Sequence, residues 1–465
     1  MFSLVWAITA FALEGAEPIR LHAENPHYFE FRGKPTVLIT SAEHYGAVLN
    51  GAFDYVKYLD TLAKDGLNMT RIFSGVYREV PGDFGIRFNT LAPRDEDYVS
   101  PYAKTGSGQY DLTKWNEAYF RRLKDFISQA GKRGIVVELT LFCTYYADKM
   151  WRLSPLHEAN NINGTGKGVT NTQVLAMKHP TLTEAETAFT RKVVTELREF
   201  DNLYYEIANE PYFGGVTLEW QAHIAKTIAD VEAGLPAKHL IAQNIANHQQ
   251  LILKPDPRVG LFNFHYARPP MTVGMNYHLN KAIGLDETGF DGTLDFVYRI
   301  QAWDFLLAGG AHYNNLDYSF AAGHEDGTLP VGGDQPGGGS AALRKQLKIL
   351  HDFMGRFEFV KMKPDETAVM SGHPVRVLSE PGRQYALYLH HGRVLQDHRP
   401  RYVVETRRQT TSFTVHLPPG NYTAEWWNTR TGPLGKSETF SHAGSGRQFT
   451  SPQYTEDIAL QILAR

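Results

Sequence analysis

Cysteine is almost missing: Cys143 is the single one in 465 residues, so no intramolecular disulfide can form. It borders an apolar run at residues 136–142 and reads as a buried structural thiol. A chain without disulfides suits the cytoplasm or a bacterial envelope compartment. Excess charge is missing too. The formal net charge is -3, which leaves no basic footprint for nucleic acid. No apolar run reaches the about 20 residues of a membrane span. Phe2 to Leu13 comes nearest, and with the small-x-small triplet Ala10-Phe11-Ala12 it marks residues 1–16 as a possible, truncated export signal, although no Lys or Arg precedes it. A secreted or periplasmic address is therefore expected, with the cytoplasm as the alternative. No Gly-x-Gly-x-x-Gly follows the first strand, which argues against a dinucleotide fold. The 19 histidines include no His-Glu-x-x-His, and His390-His391 is a bare pair, so neither metal nor cofactor is expected.

What is present is alternation. Apolar runs at residues 36–40, 68–73, 134–142, 203–209, 240–245, 259–266, 281–287 and 312–320 read as strands. Helical stripes fall between them, such as Phe53, Val56, Leu59 and Leu62, or Trp115, Tyr119, Leu123 and Phe126. Thr183 with Glu186 has the form of a capping box. No helix is placed between the fifth and sixth strands. Eight strands alternating with helices favour a (β/α)8 barrel over residues 17–363, with Phe29-Glu30-Phe31 and Arg32-Gly33 forming an earlier hairpin. Three strand-to-helix connections, residues 74–111, 144–183 and 321–339, are long enough to wall a pocket on the face where barrel sites lie. Beyond Pro364 the pattern changes to short alternating strands at residues 375–378, 385–390, 412–417, 422–427 and 458–463. Residues 364–465 are accordingly expected to form a small antiparallel β-sandwich.

The fourth strand, Leu203 to Asn209, stops at Asn209-Glu210-Pro211, and the seventh ends in Asp286-Glu287. Two carboxylates at the mouths of two strands suit cleavage of a glycosidic bond, one protonating the leaving oxygen and one attacking the anomeric carbon. With these motifs the sequence resembles the retaining glycoside hydrolases of clan A, a (β/α)8-barrel group. The resemblance implies that Glu210 is the acid/base, Glu287 the nucleophile and Asn209 a ligand of the sugar 2-hydroxyl. It also implies that Arg71 stands beside the nucleophile, and that His265 and Tyr266 match a His/Tyr pair whose tyrosine bonds it. That pair is spaced His-x-Tyr in many relatives and is adjacent here. The C-terminal part resembles the collagen-binding-like domain attached to certain bacterial clan A hydrolases.

Other residues are weighed by position. His44 and Tyr45 follow strand 1 and Asp317 lies on strand 8, where a terminal sugar could be gripped; Tyr145, Tyr146 and Trp151 open the third long loop. Glu206 shares a face with Glu210 but lies deeper, as a barrel-interior residue. Asp286 should point away from Glu287, and Trp303 reads as core. Trp426 and Trp427 face opposite sides of a strand, so at least one is core in a domain that packs on the barrel. The partner expected is a carbohydrate, cleaved from chain ends by double displacement with a raised pKa on Glu210. A transglycosylase and a non-catalytic carbohydrate-binding barrel are the competing readings.

Overall fold

The computed structural model describes residues 17–395, 397–398 and 401–465. The possible signal at residues 1–16 lies outside them. Three short strands come first: β1 (Arg20–Leu21), β2 (Phe29–Phe31) and β3 (Lys34–Thr36), paired antiparallel. Ile19, Phe29 and Phe31 pack on Leu38, Met69, Val136, Tyr204 and Leu261, one cluster that plugs the N-terminal end of a barrel.

The barrel is the eight-stranded parallel sheet formed by β4 (Leu38–Ala42), β5 (Met69–Phe73), β8 (Val136–Cys143), β9 (Leu203–Asn209), β10 (Ile241–Asn247), β11 (Leu261–His265), β12 (Ala282–Glu287) and β13 (His312–Leu316). A hairpin of β6 (Tyr102–Lys104) and β7 (Tyr110–Trp115) stands in the first long connection. β4 and β5 are the two ends of the ladder. Asn68 bridges that seam with its side chain, accepting from Ile39 N at 2.8 Å and donating to Val37 O at 2.9 Å. An amide thus stands in for ladder hydrogen bonds that the seam lacks.

Helices α1 (Tyr55–Lys64), α2 (Glu117–Lys132), α3 (Asp148–Trp151), α4 (Pro180–Leu197), α5 (Leu218–Val231), α6 (Met271–Asn276), α7 (Asp295–Leu307) and α8 (Ala341–Met354) fill the connections. Asp54, Asn116, Thr217 and Ser340 cap α1, α2, α5 and α8 through their side chains. The expected capping box on α4 does not form. Pro180, with its fixed φ, starts the helix a turn earlier, and Glu186 instead accepts from Trp220 Nε1 at 2.8 Å inside the core.

The C-terminal part holds β14 (Lys363–Pro364), β15 (Val369–Met370), β16 (Val375–Glu380), β17 (Gln384–His390), β18 (Gly392–Val394), β19 (Tyr402–Val404), β20 (Ser412–Leu417), β21 (Gly420–Asn428), β22 (Gly432–His442), β23 (Ser445–Thr450) and β24 (Asp457–Ala464). A six-stranded sheet, β14-β16-β17-β24-β21-β22, faces a three-stranded one, β15-β20-β23, across a core that includes Leu387, Phe413, Val415, Leu460 and Phe449. The other face of the larger sheet packs on α7 and α8. Trp303 stacks on Tyr388 at 5.4 Å, Trp427 meets Phe353 edge-on at 5.3 Å, and Arg299 grips Asp457 with Nε and Nη2. Trp426 turns the other way, against Phe413, so neither tryptophan is a free sugar platform. The sequence pattern misses β22, which is exposed along most of its length and so carries no apolar alternation to read.

Candidate active site

Six of the ten non-glycine residues with positive φ among the described residues, Tyr45, Phe84, Glu210, His248, Tyr266 and Phe290, line one cavity of about 600 Å³. Left-handed backbone in bulky residues costs about 1–3 kcal/mol each, so their concentration marks where the fold stores strain. The cavity opens at the C-terminal ends of the barrel strands.

Glu210 follows β9, and its backbone turns abruptly there, with φ at 46°. Its Oε1 accepts from Tyr212 Oη at 3.3 Å and lies 3.2 Å from His265 Nδ1. Its Oε2 accepts from Tyr146, whose hydroxyl also accepts from Asn209 Nδ2 at 2.9 Å. Glu287 ends β12 opposite. Its Oε1 accepts from Tyr266 Oη at 2.5 Å, and its Oε2 accepts from Tyr45 Oη at 2.8 Å and from Arg71 Nη1 at 3.4 Å. One ligating atom each from Glu210, His265 and Glu287 lies within 4.8 Å of the others. That donor set has a shape a cation could share, but hydroxyl and guanidinium donors already point at the same oxygens.

His265 sits fully buried between the two carboxylates, with Nε2 3.4 Å from Asp286 Oδ1. Burial would lower its pKa, but the charges of Glu287 and Asp286 outweigh it and hold the imidazole well above its ordinary value. For Glu210 the balance is reversed. Burial pushes that carboxyl up, yet hydrogen bonds from His265, Tyr146 and Tyr212, with the charge of His265, hold it below the ordinary carboxylate range. The raised value expected for Glu210 is therefore not met, because the imidazole of His265 stands 3.2 Å from it.

Beneath the site the barrel interior is polar. Arg71 donates from Nη2 to Glu206 Oε2 at 2.5 Å and to Asn209 Oδ1 at 2.8 Å, and the same nitrogen lies 3.2 Å from Asp286 Oδ2. Its guanidinium covers the Tyr45 ring at 4.6 Å. Asn263 donates to Glu138 and Glu206 at 2.6 and 3.1 Å and pairs with His312 Nε2 at 3.0 Å. Room for His312 exists because residue 284 is glycine: a Cβ there would lie 1.7 Å from Nε2. Burial, then the charges of Glu206 and Asp286, push Glu138 well up, and burial against the pull of Arg71 leaves Glu206 at about 7. Burial acts upward on Asp286 also, but Arg71 and His265 outweigh it and hold it low. Glu138, Glu206 and Asp286 could group around an ion by distance, yet the Arg71 guanidinium already occupies that role.

Among solved structures the chain is similar to a glycoside hydrolase at 14% identity, with a TM-score of 0.64 over 97% of each chain. It is equally similar to a glycoside hydrolase family 5 protein from Bacteroides vulgatus ATCC 8482, at 14% identity and a TM-score of 0.64 over 96% of this chain and 94% of that one. The fold is one that solved glycoside hydrolases share. No family model and no curated protein matches the chain. At such identities the likeness concerns the (β/α)8 barrel with its following β-rich part.

Of the residues expected at the site, Glu210, Glu287, Asn209, Tyr266 and His44 line the cavity. Arg71 and His265 are fully buried below it, in contact with the carboxylates and not part of the cavity lining. Asp317 is a correction. The eighth barrel strand, β13, stops at Leu316, and Asp317 turns inward, accepting from Ser41 at 2.9 Å, from Ser319 at 2.5 Å and from Arg344 at 2.8 Å. Both of its oxygens are used by the protein. Asp286 is another correction: the register runs Phe264 to Leu285 and then His265 to Glu287, a bulge that turns both acidic residues inward. Tyr146 alone of the three loop aromatics lines the cavity; Tyr145 and Trp151 hydrogen-bond to Val76 O and Val169 O and anchor the loop. The sequence reading missed Glu79, Asn247, His248, Arg268 and Asp291 on the wall. Phe213 and Phe290, each three residues past a catalytic candidate, also line it and were close enough to the motifs to have been found, as was Tyr212, which bonds Asn247 at 2.6 Å.

Proposed function

We propose that the protein is a retaining glycoside hydrolase acting on chain ends, with Glu287 as nucleophile and Glu210 as acid/base. The observation that carries this is the approach of the two carboxylates, one oxygen of each within 4.8 Å, at the ends of two strands of one barrel. Retaining enzymes hold the two carboxyl groups about 5–5.5 Å apart, whereas inverting ones hold them about 6.5–9.5 Å apart to admit a water. A nearest-oxygen approach within 4.8 Å supports the closer pair without itself measuring the group separation. A cavity of about 600 Å³, bounded by the long loops, supports action on a terminal residue.

In the first step Glu287 attacks the anomeric carbon while Glu210 gives a proton to the leaving oxygen; in the second Glu210 takes a proton from water, which releases the sugar from Glu287. His265 lies 3.2 Å from Glu210 and is placed to share that proton. Substrate covering the carboxylate disfavours its charge and draws the proton across.

Two outcomes test this. Glu210→Ala should lose turnover of glycosides with poor leaving groups and regain it on nitrophenyl glycosides with added azide, yielding a glycosyl azide of retained configuration. Unchanged turnover in that variant would refute the assignment, and binding of sugars without turnover by the wild type would mark a carbohydrate-binding protein. His265→Asn should move the alkaline limb of kcat/KM to lower pH by about one unit or more. In the wild type the shared proton is lost only as pH rises through the raised imidazolium value; without the imidazole it must sit on Glu210 alone, whose range lies lower. An unmoved limb would remove His265 from the proton path.

A further inference from the structure

The first long loop brings a third carboxylate to the cavity wall. Glu79 is only 5% exposed, and Glu79 N donates to Leu91 O at 2.9 Å, which fixes the loop behind it. Its Oε2 is occupied, accepting from Asn89 Nδ2 at 2.5 Å and lying 3.2 Å from His44 Nε2. Among the described residues its Oε1 has only the Tyr77 hydroxyl, at 3.5 Å. An ionised carboxylate offers about four acceptor positions, so this buried group keeps unused capacity beside a cavity. Other buried carboxylates, such as Glu138 and Glu186, also leave an oxygen without a hydrogen bond, but they do so in the core, whereas Glu79 stands on the cavity wall where a ligand hydroxyl can reach it.

The position is specific. The His44 ring stacks on Tyr45 at 5.2 Å, and Tyr45 bonds Glu287, so Glu79 stands two side chains from the nucleophile. Burial works against a charge on His44, but Glu79, and behind it Glu287, outweigh this and raise its pKa. The neighbouring backbone is clamped as well: Glu43 accepts from Gly46 N and Ala47 N at 3.0 Å each and from Thr90 of the Glu79 loop. Two guanidiniums also line the cavity, Arg268, which is tied to Asp291 at 2.6 Å, and Arg401; among the described residues Glu79 forms its ion pair with His44 and with neither of these.

We infer that Glu79, oriented by His44 and Asn89, receives the hydroxyl protons of the sugar ring that Glu287 attacks, and that this ring is a neutral sugar with free adjacent hydroxyls. The inference rests on the glycosidase reading for which side of the scissile bond the ring lies on. A carboxylate takes two neighbouring hydroxyls with its two oxygens or with two lone pairs of one, and it repels a uronate or a sulfated ring.

Saturation-transfer NMR with the methyl glycosides, both anomers, of glucose, galactose, mannose, xylose, arabinose, fucose and glucuronic acid tests it without requiring turnover. At least one neutral glycoside should bind the wild type and the glucuronide should not. Glu79→Gln, checked for unchanged melting, should weaken the neutral glycoside by about tenfold or more. A monodeoxy analogue lacking the recognised hydroxyl should be penalised by the wild type and not by Glu79→Gln, a coupling that a purely structural role would not produce. Equal penalties in both proteins, unchanged affinity in the variant, tighter binding of the glucuronide, or no binding of any neutral glycoside would each overturn the subsite. Sugar binding with this coupling but no hydrolysis would leave the subsite standing and defeat the hydrolase reading.

Discussion

Glu287→Ala should lose turnover by a factor on the order of 10⁵–10⁶, the scale seen when a covalent nucleophile is removed. The size follows from the geometry. Glu287 accepts from Tyr45 at 2.8 Å, from Tyr266 at 2.5 Å and from Arg71 at 3.4 Å, three donors that fix its two oxygens. Alanine leaves that cradle intact and empty, so a small anion can enter. Azide should restore part of the rate, and the product should be a glycosyl azide of inverted configuration, the opposite of the Glu210→Ala product. Steady-state rates on the nitrophenyl glycoside panel with product NMR decide the matter; turnover surviving in Glu287→Ala would reject the double-displacement scheme.

Arg71→Met should be the most destabilising single change near the site. Arg71 is completely buried, and within 3.4 Å of its guanidinium lie oxygens of Glu206, Asp286 and Glu287. Removing one partner of a buried pair costs about 3–5 kcal/mol because a charge is left uncompensated. For a chain of 465 residues, with about 2.1 cal/mol/K of unfolding entropy per residue, that is a fall in Tm of about 3–5 °C. The pH dependence has a definite sign. Arg71 holds Asp286 below its ordinary value, so this contribution is present above the unfolded aspartate value of about 3.9 and disappears as pH falls through the lower folded value. The stability gap between wild type and variant should be widest near neutral pH and should narrow in acid. A gap that is absent, or independent of pH, would show that Arg71 is not the counter-charge of this cluster.

The legible parts of the sequence were those whose physics is local. Apolar runs of strand length alternating with helical stripes announced the barrel, and a proline after Asn209-Glu210 announced where a strand must stop. The hairpin at Arg32-Gly33 was equally plain, since both residues take positive φ between β2 and β3. Asp286 was misread for a nonlocal reason. A bulge changes the side-chain period at one residue, and its place depends on the pairing of β12 with β11, not on β12 alone. Asp317 was misread because its partner Arg344 comes from α8, and no spacing rule connects them.

By itself the sequence determined that the chain builds a (β/α)8 barrel followed by antiparallel strands and that Glu210 and Glu287 end two of the barrel strands. Periodicity and chain-breaking residues are properties of neighbours along the chain, so they survive without coordinates. The resemblance already placed Arg71 and Tyr266 at Glu287, and the tertiary structure decided their geometry and which further groups join them. Arg71, His265 and Glu79 come from different strands and loops, and their burial, proton affinities and unused acceptors depend on distances that folding creates.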